Sequence, residues 1–157
     1  MAFAKKLLMS SILWTLLSAP SADPVTVRVF RVFDGDSFLA RVRGQTLRIR
    51  IAGVDAPETG QPHGPESKVV LEKMLGGKRV EIDTVGPETG GYRPARVNWQ
   101  DYDIAEDLVR AGAAWAIPGD AGLSKDLEAL ELEARVQRRG LWSGGAPEPP
   151  WNWRAGQ

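Results

Sequence analysis

The sequence predicts an α+β fold: a five-stranded β-barrel of the OB type carrying three helices. Three observations predict it. Three short runs of alternating apolar and polar residues come first, a single helix follows the third, and two further strands and two helices complete the chain. In the first strand Val25, Val27 and Val29 alternate with Thr26, Arg28 and Phe30. In the second, Phe38, Ala40 and Val42 alternate with Leu39, Arg41 and Arg43. Gly44-Gln45 turns into the third, where Leu47, Ile49 and Ile51 share one face and Arg48 and Arg50 the other. Thr59 to Pro65 is rich in Gly and Pro and reads as a loop. Pro65 opens a helix that stops at Gly76-Gly77. Arg79–Thr84 and Ala95–Trp99 are the fourth and fifth strands. Ile104–Ala111 and Ser124–Arg139 are helices closed by Gly112 and Gly140, with Ser124 as the N-cap of the second. Residues 146–157 are rich in Pro and Trp and are expected to lie extended on the body. Periodicity alone leaves the barrel topology open.

The chain has 157 residues, enough for one domain with its own core. Residues 1–22 have the order of a secretory signal peptide: Lys5 and Lys6, an apolar run from Leu7 to Leu17, then small residues to Ala22. The apolar run is short for a bilayer span, so stable membrane insertion after cleavage is not expected. Export to the periplasm or the medium is. There is no Cys, so no disulfide supports the domain in that compartment. Twenty basic residues balance twenty acidic ones. Losing Lys5 and Lys6 with the leader leaves the remainder mildly acidic. No global field therefore draws the protein to a polyanion, and any such partner must be held by a local patch.

Two acidic motifs carry the chemistry. Asp34-Gly35-Asp36-Ser37 and Gly53-Val54-Asp55-Ala56-Pro57-Glu58 flank the basic strand Leu47–Ile51. Clustered carboxylates repel one another unless protons or a cation neutralise them, and all-oxygen ligands suit a hard cation such as Ca2+. A guanidinium beside such a cation is suited to the charge that builds on phosphorus in phosphodiester cleavage. An Asp-Gly-Asp run alone is usually only a turn. The second motif and Arg50 are what raise it. Several other residues read more plainly: Arg48 as a solvated strand residue, Glu66 as a favourable helix-dipole charge, and Arg135, Arg138 and Arg139 as an exposed helix face. His63, the sole histidine, sits in a loop and offers little for a His-based mechanism. Trp99, Trp115 and Trp142 read as core, and Trp151 and Trp153 as tail anchors.

In order and spacing these segments resemble the staphylococcal nuclease (thermonuclease-like) family. The resemblance runs through Val32–Phe38, Leu47–Glu58, Gly64-Pro65-Glu66, Asp107–Ala114, Glu131, Ala134, Arg135, Gly140-Leu141-Trp142 and the ending Pro150-Trp151-Asn152-Trp153-Arg154. It covers about residues 25–154. It implies the OB barrel and a Ca2+-dependent nuclease site acting on DNA or RNA with little sequence preference, in a monomer. It also implies side-chain metal ligands at Asp36 and Asp55 and a third ligand in the backbone carbonyl of Ala56. Glu58 would be the general base or water-positioning carboxylate, and Arg50 would bind the scissile phosphate. Asp34 would support the site from beside it. Cleavage on the 5′-oxygen side would leave 3′-phosphate ends.

One departure matters. The family has a second active-site arginine in a Tyr-Gly-Arg segment before the fifth strand. Gap-free alignment puts Tyr92 at that position, with Arg93 one place late and Pro94 after it. In a strand, a one-residue shift sends a side chain to the opposite face. A different loop path would bring Arg93 back into the catalytic set. Tyr92 itself is a candidate for stacking on substrate. The alternative function is a catalytically degenerate OB-fold module that binds nucleic acid, another polyanion or a protein.

Overall fold

The structure, a computed structural model, describes residues 24–42, 44–119 and 126–157. The leader and Ser124 lie outside the described residues. In chain order the elements are β1 (Val25–Val32), β2 (Ser37–Val42), β3 (Gln45–Ile51), β4 (Val54–Asp55), α1 (Gly64–Leu75), β5 (Arg79–Thr84), β6 (Arg93–Trp99), β7 (Tyr102–Asp103), α2 (Ile104–Arg110), β8 (Trp115–Ala116), α3 (Leu127–Val136), a 3-10 turn over Gly140–Ser143, and α4 (Pro150–Ala155).

The main sheet has the order β3-β2-β1-β5-β6-β7, and parallel pairing of β3 with β6 closes its first five strands into a barrel. This is the OB-type architecture. The alternating residues point inward as expected. Val27, Val29, Phe38, Ala40, Ile49, Ile51, Val80, Ile82, Ala95 and Val97 are all buried, and Leu71 and Leu75 of α1 and Leu108 and Val109 of α2 pack against them. Asp103 caps α2 by accepting from the amides of Ala105 (2.8 Å) and Glu106 (3.3 Å). A second cluster joins Trp115, Ala134, Leu141 and Trp142, with Trp151 against it. The Trp115 and Trp142 rings meet edge to face at 5.5 Å.

Two expectations change. Helix α3 ends at Val136 rather than running to Arg139. Arg138 adopts φ 52°, its amide reaches the Arg135 carbonyl, and the Arg139 amide reaches that of Ala134. That hydrogen-bond pair is the usual closure of a helix by a left-handed residue. The tail is not wholly extended either. Pro150 sits at the first position of a short helix, where its missing N–H costs nothing. The two-residue strands β4, β7 and β8 were not foreseen. Among the described residues no helix is long and apolar enough to cross a membrane.

Candidate active site

Register assembles the site. Antiparallel pairing sets Ser37 of β2 opposite Arg50 of β3, so Asp36, one residue earlier, stands beside the guanidinium. Arg50 Nε lies 3.6 Å from Asp36 Oδ1, an ion pair too long for a hydrogen bond. Asp36 Oδ2 accepts from the Ala56 amide at 3.0 Å, and the Asp36 carbonyl accepts from the Ile51 amide. The two acidic motifs are thus tied to each other directly. Asp34 Oδ1 accepts from the Asp36 amide at 3.1 Å, which fixes the turn and sets a second negative charge beside Asp36.

Asp36 is 3% exposed and Asp55 8%. Burial pushes the Asp36 carboxyl well above the usual carboxylate range. The charge of Asp34 adds to this, while Arg50 and the Ala56 amide oppose it. A buried acid that its surroundings under-neutralise is suited to a bound cation. Among the described residues no three His, Cys, Asp or Glu side chains converge as a ready-made cage. A hard cation here would rest on the Asp36 and Asp55 carboxylates, the Ala56 carbonyl and water, a donor set that Ca2+ accepts.

Tyr92 and Arg93 part company. The Thr89 and Tyr92 amides each bond the other residue's carbonyl across Gly90-Gly91, which have φ 59° and 80°. This two-residue hairpin needs positive φ at both central positions, which Gly supplies freely. It fixes Tyr92 with its ring 4.6 Å from the Arg50 guanidinium. Arg93, the next residue, faces away, with Nη2 3.6 Å from Glu88 Oε2. The structure therefore brings Asp34, Asp36, Arg50, Asp55, Ala56, Glu58 and Tyr92 to one end of the barrel and leaves Arg93 outside.

Arg48 is more than a solvated strand residue. Its guanidinium lies 5.1 Å from the Phe33 ring and 5.8 Å from that of Tyr92. The Arg31 guanidinium lies 5.6 Å from the same Phe33 ring. Arginines and aromatic rings thus alternate from Arg31 through Phe33, Arg48 and Tyr92 to Arg50. Arg135 is exposed, yet it bonds Glu131 and stacks 4.1 Å from the Trp142 ring.

Sequence reasoning missed one site residue. Arg154 of α4 donates from Nη1 to Glu58 Oε1 (2.7 Å) and Asp55 Oδ1 (3.2 Å), and from Nη2 to Asp55 Oδ2 (2.7 Å). Its hydrogen bond to Asp55, opposed by burial and reinforced by Glu58, raises its proton affinity above the ordinary arginine range. Nearly a hundred residues separate these partners. The one local signal was an arginine following two tail tryptophans.

The family model described as "Staphylococcal nuclease homologue" matches residues 48–144. The chain belongs to the staphylococcal nuclease family. A protein of Escherichia coli O157:H7 described as an uncharacterized endonuclease is 37% identical over 128 residues, covering 81% of this chain and 83% of its own. The micrococcal nuclease of Shigella flexneri is 34% identical over 153 residues, covering 88% of this chain and 86% of its own. A probable staphylococcal-like nuclease of rice, CAN2, is 37% identical over 137 residues, covering 87% of this chain and 36% of its own. Membership of the staphylococcal nuclease family supports a nuclease function for this chain. The matched region contains Arg50, Asp55, Glu58 and Tyr92, while Asp36 and Arg154 lie on either side of it.

Proposed function

We propose that this protein is an exported, Ca2+-dependent phosphodiesterase that cleaves DNA or RNA with little sequence preference and leaves 3′-phosphate ends. The observation that carries the reading is the meeting of Asp36, Asp55, Glu58 and Arg50 at one barrel end. Asp36 and Asp55, with the Ala56 carbonyl, would hold the cation. Bound Ca2+ would supply positive charge to the phosphoryl oxygens as negative charge builds there. Glu58 would orient a water and take its proton. Arg50 would hold the scissile phosphate in line with that water and offset the charge of the transition state. The series Arg31, Phe33, Arg48, Tyr92 and Arg50 supports a single-stranded substrate. Guanidiniums meet the backbone and rings stack on bases with little regard to sequence. This is the local patch that a neutral chain needs.

Residues 23–157 should degrade single-stranded DNA or RNA in Ca2+ and stop in chelator. Glu58→Ala and Arg50→Ala should each lower turnover by roughly 10²-fold or more without changing the circular dichroism spectrum. Tyr92 beside Arg50, with Arg93 turned toward Glu88, favours the second reading, a degenerate module that binds nucleic acid without cutting it. Oligonucleotide binding without Ca2+-dependent cleavage by the wild type would decide for that reading.

A further inference from the structure

The acidic end of the barrel holds four carboxylates, Asp34, Asp36, Asp55 and Glu58, so a phosphodiester entering it depends on the cations set among them. Of the basic residues in the motifs, Arg50 alone contacts this set, through Asp36. A second guanidinium arrives from the opposite end of the chain. Arg154 bridges Asp55 and Glu58 in three hydrogen bonds. We propose that Arg154 is the second phosphate-binding arginine of this site, supplied by α4 where Tyr92 stands just before β6. The inference rests on the phosphodiesterase reading above.

Three observations carry it. First, position: Nη1 lies 2.7 Å from Glu58 Oε1, so a water held by Glu58 and the phosphorus it attacks lie close to the same guanidinium. Second, donor count: arginine has five N–H donors in a fixed fork. The three bonds to Asp55 and Glu58 leave Nε–H and one Nη2–H, and the side chain is 45% exposed, so those donors can meet a phosphate oxygen. Third, anchoring: Pro150 is buried and Trp151 packs on the tryptophan cluster. Gln61 also ties the two segments together. Its Oε1 accepts from the Glu58 amide (3.1 Å), and its Nε2 donates to the Glu148 carbonyl (2.6 Å). The loop that carries Glu58 and the tail that carries Arg154 are therefore held as a unit.

The test compares wild type, Arg154→Gln, Arg154→Ala and Arg93→Ala, each as the full chain from residue 23, on a single-stranded DNA oligonucleotide in Ca2+. Arg154→Gln should lower kcat roughly 10²-fold with a much smaller change in KM, while Arg93→Ala stays near wild type. Free guanidinium ion, below denaturing concentration, should restore part of the turnover of Arg154→Ala, which a stapling role would not allow. Turnover of Arg154→Gln within threefold of wild type, or a loss that guanidinium does not relieve, would overturn the proposal. If Arg154→Gln folds poorly, Arg154→Lys keeps the charge without the fork and should show the same kcat loss. If the wild type cleaves nothing, the phosphodiesterase reading fails on its own, and fluorescence anisotropy with the same oligonucleotide then decides about Arg154. A weaker Kd with a salt slope lower by about one in Arg154→Gln supports the phosphate contact, and unchanged binding refutes it.

Discussion

Gly35→Ala tests whether the two acidic motifs are held by contact as tight as the structure shows. A Cβ built on Gly35 falls 1.9 Å from Ser67 Oγ, 2.7 Å from Ala56 Cβ and 2.8 Å from Ser67 Cβ. Carbon atoms pack comfortably at about 3.5–4.0 Å, so the neighbours must give by most of an ångström. Ser67 Oγ could rotate away, but it donates to the buried Ala113 carbonyl at 2.5 Å, and leaving that acceptor unpaired costs about 1–3 kcal/mol. Rotation does nothing for the two carbon contacts. Those require Ala56 or helix α1 to retreat, an overpacking strain of about 1–3 kcal/mol. The combined loss is about 3 kcal/mol, equivalent to a Tm drop of about 10 °C for a domain of this size. The urea midpoint should fall with the m-value unchanged. Gly35 lies between Asp34 and Asp36, so the strain also pulls Asp36 from the Ala56 amide. Cleavage should therefore fall even at temperatures where the variant is folded. Ser67→Ala added to Gly35→Ala should recover part of the loss, although alone it is destabilising. A Gly35→Ala protein that melts within 2 °C of wild type would refute the reasoning.

Two further outcomes follow from the site. The raised pKa of buried Asp36 means that the cation-free folded state binds its proton more tightly than the unfolded chain does, so its charged form is a destabilising contribution. That contribution is absent below the unfolded value of about 3.9 and grows as pH rises toward the folded one. Asp36→Asn keeps an acceptor for the Ala56 amide, so in chelator it should melt above wild type at pH 7, with the gap closing toward pH 4. Ca2+ should raise the Tm of wild type and leave that of Asp36→Asn nearly unmoved, as followed by calorimetry. Arg93→Ala should be close to silent in single-turnover cleavage, because its guanidinium faces Glu88. A large loss there would place Arg93 in the catalytic set.

Much of this arrangement was legible because the signals were local or periodic. Alternation in Val25–Phe30, Phe38–Val42 and Leu47–Ile51 fixed which faces turn inward. Period-two alternation also accounts for the parting of Tyr92 and Arg93, since successive residues of extended backbone point to opposite faces. What escaped depended on non-local geometry. Strands β4 and β8 have two residues each, too few for a pattern, and exist because Val54 pairs with Ala116 across the fold. The end of α3 at Val136 was set by a left-handed Arg138, a conformation that an arginine does not advertise. The stack of Arg48 on Phe33 needs β1 and β3 to be placed before it can be read.

Arg154 shows why site chemistry is harder to read than fold. Tyr92, standing just before β6, looks like the loss of a cation, and judged by the motifs alone the site is short of positive charge. The deficit is local to the motifs and not to the site. Burial of Asp36 and Asp55 makes uncompensated charge there costly, so the fold has reason to bring a cation from wherever the chain can supply one. The tail supplies it with its geometry fixed in advance, through buried Pro150, Trp151 on the tryptophan cluster, and the Gln61 link to the Glu58 loop. A guanidinium on a backbone anchored this way loses little freedom when substrate arrives, a condition that makes a donor more effective toward developing charge. A tyrosine in place of an arginine before β6 therefore does not by itself mark a dead enzyme. The relevant count is of guanidiniums within reach of Glu58, and for this chain it includes one from the C-terminal helix.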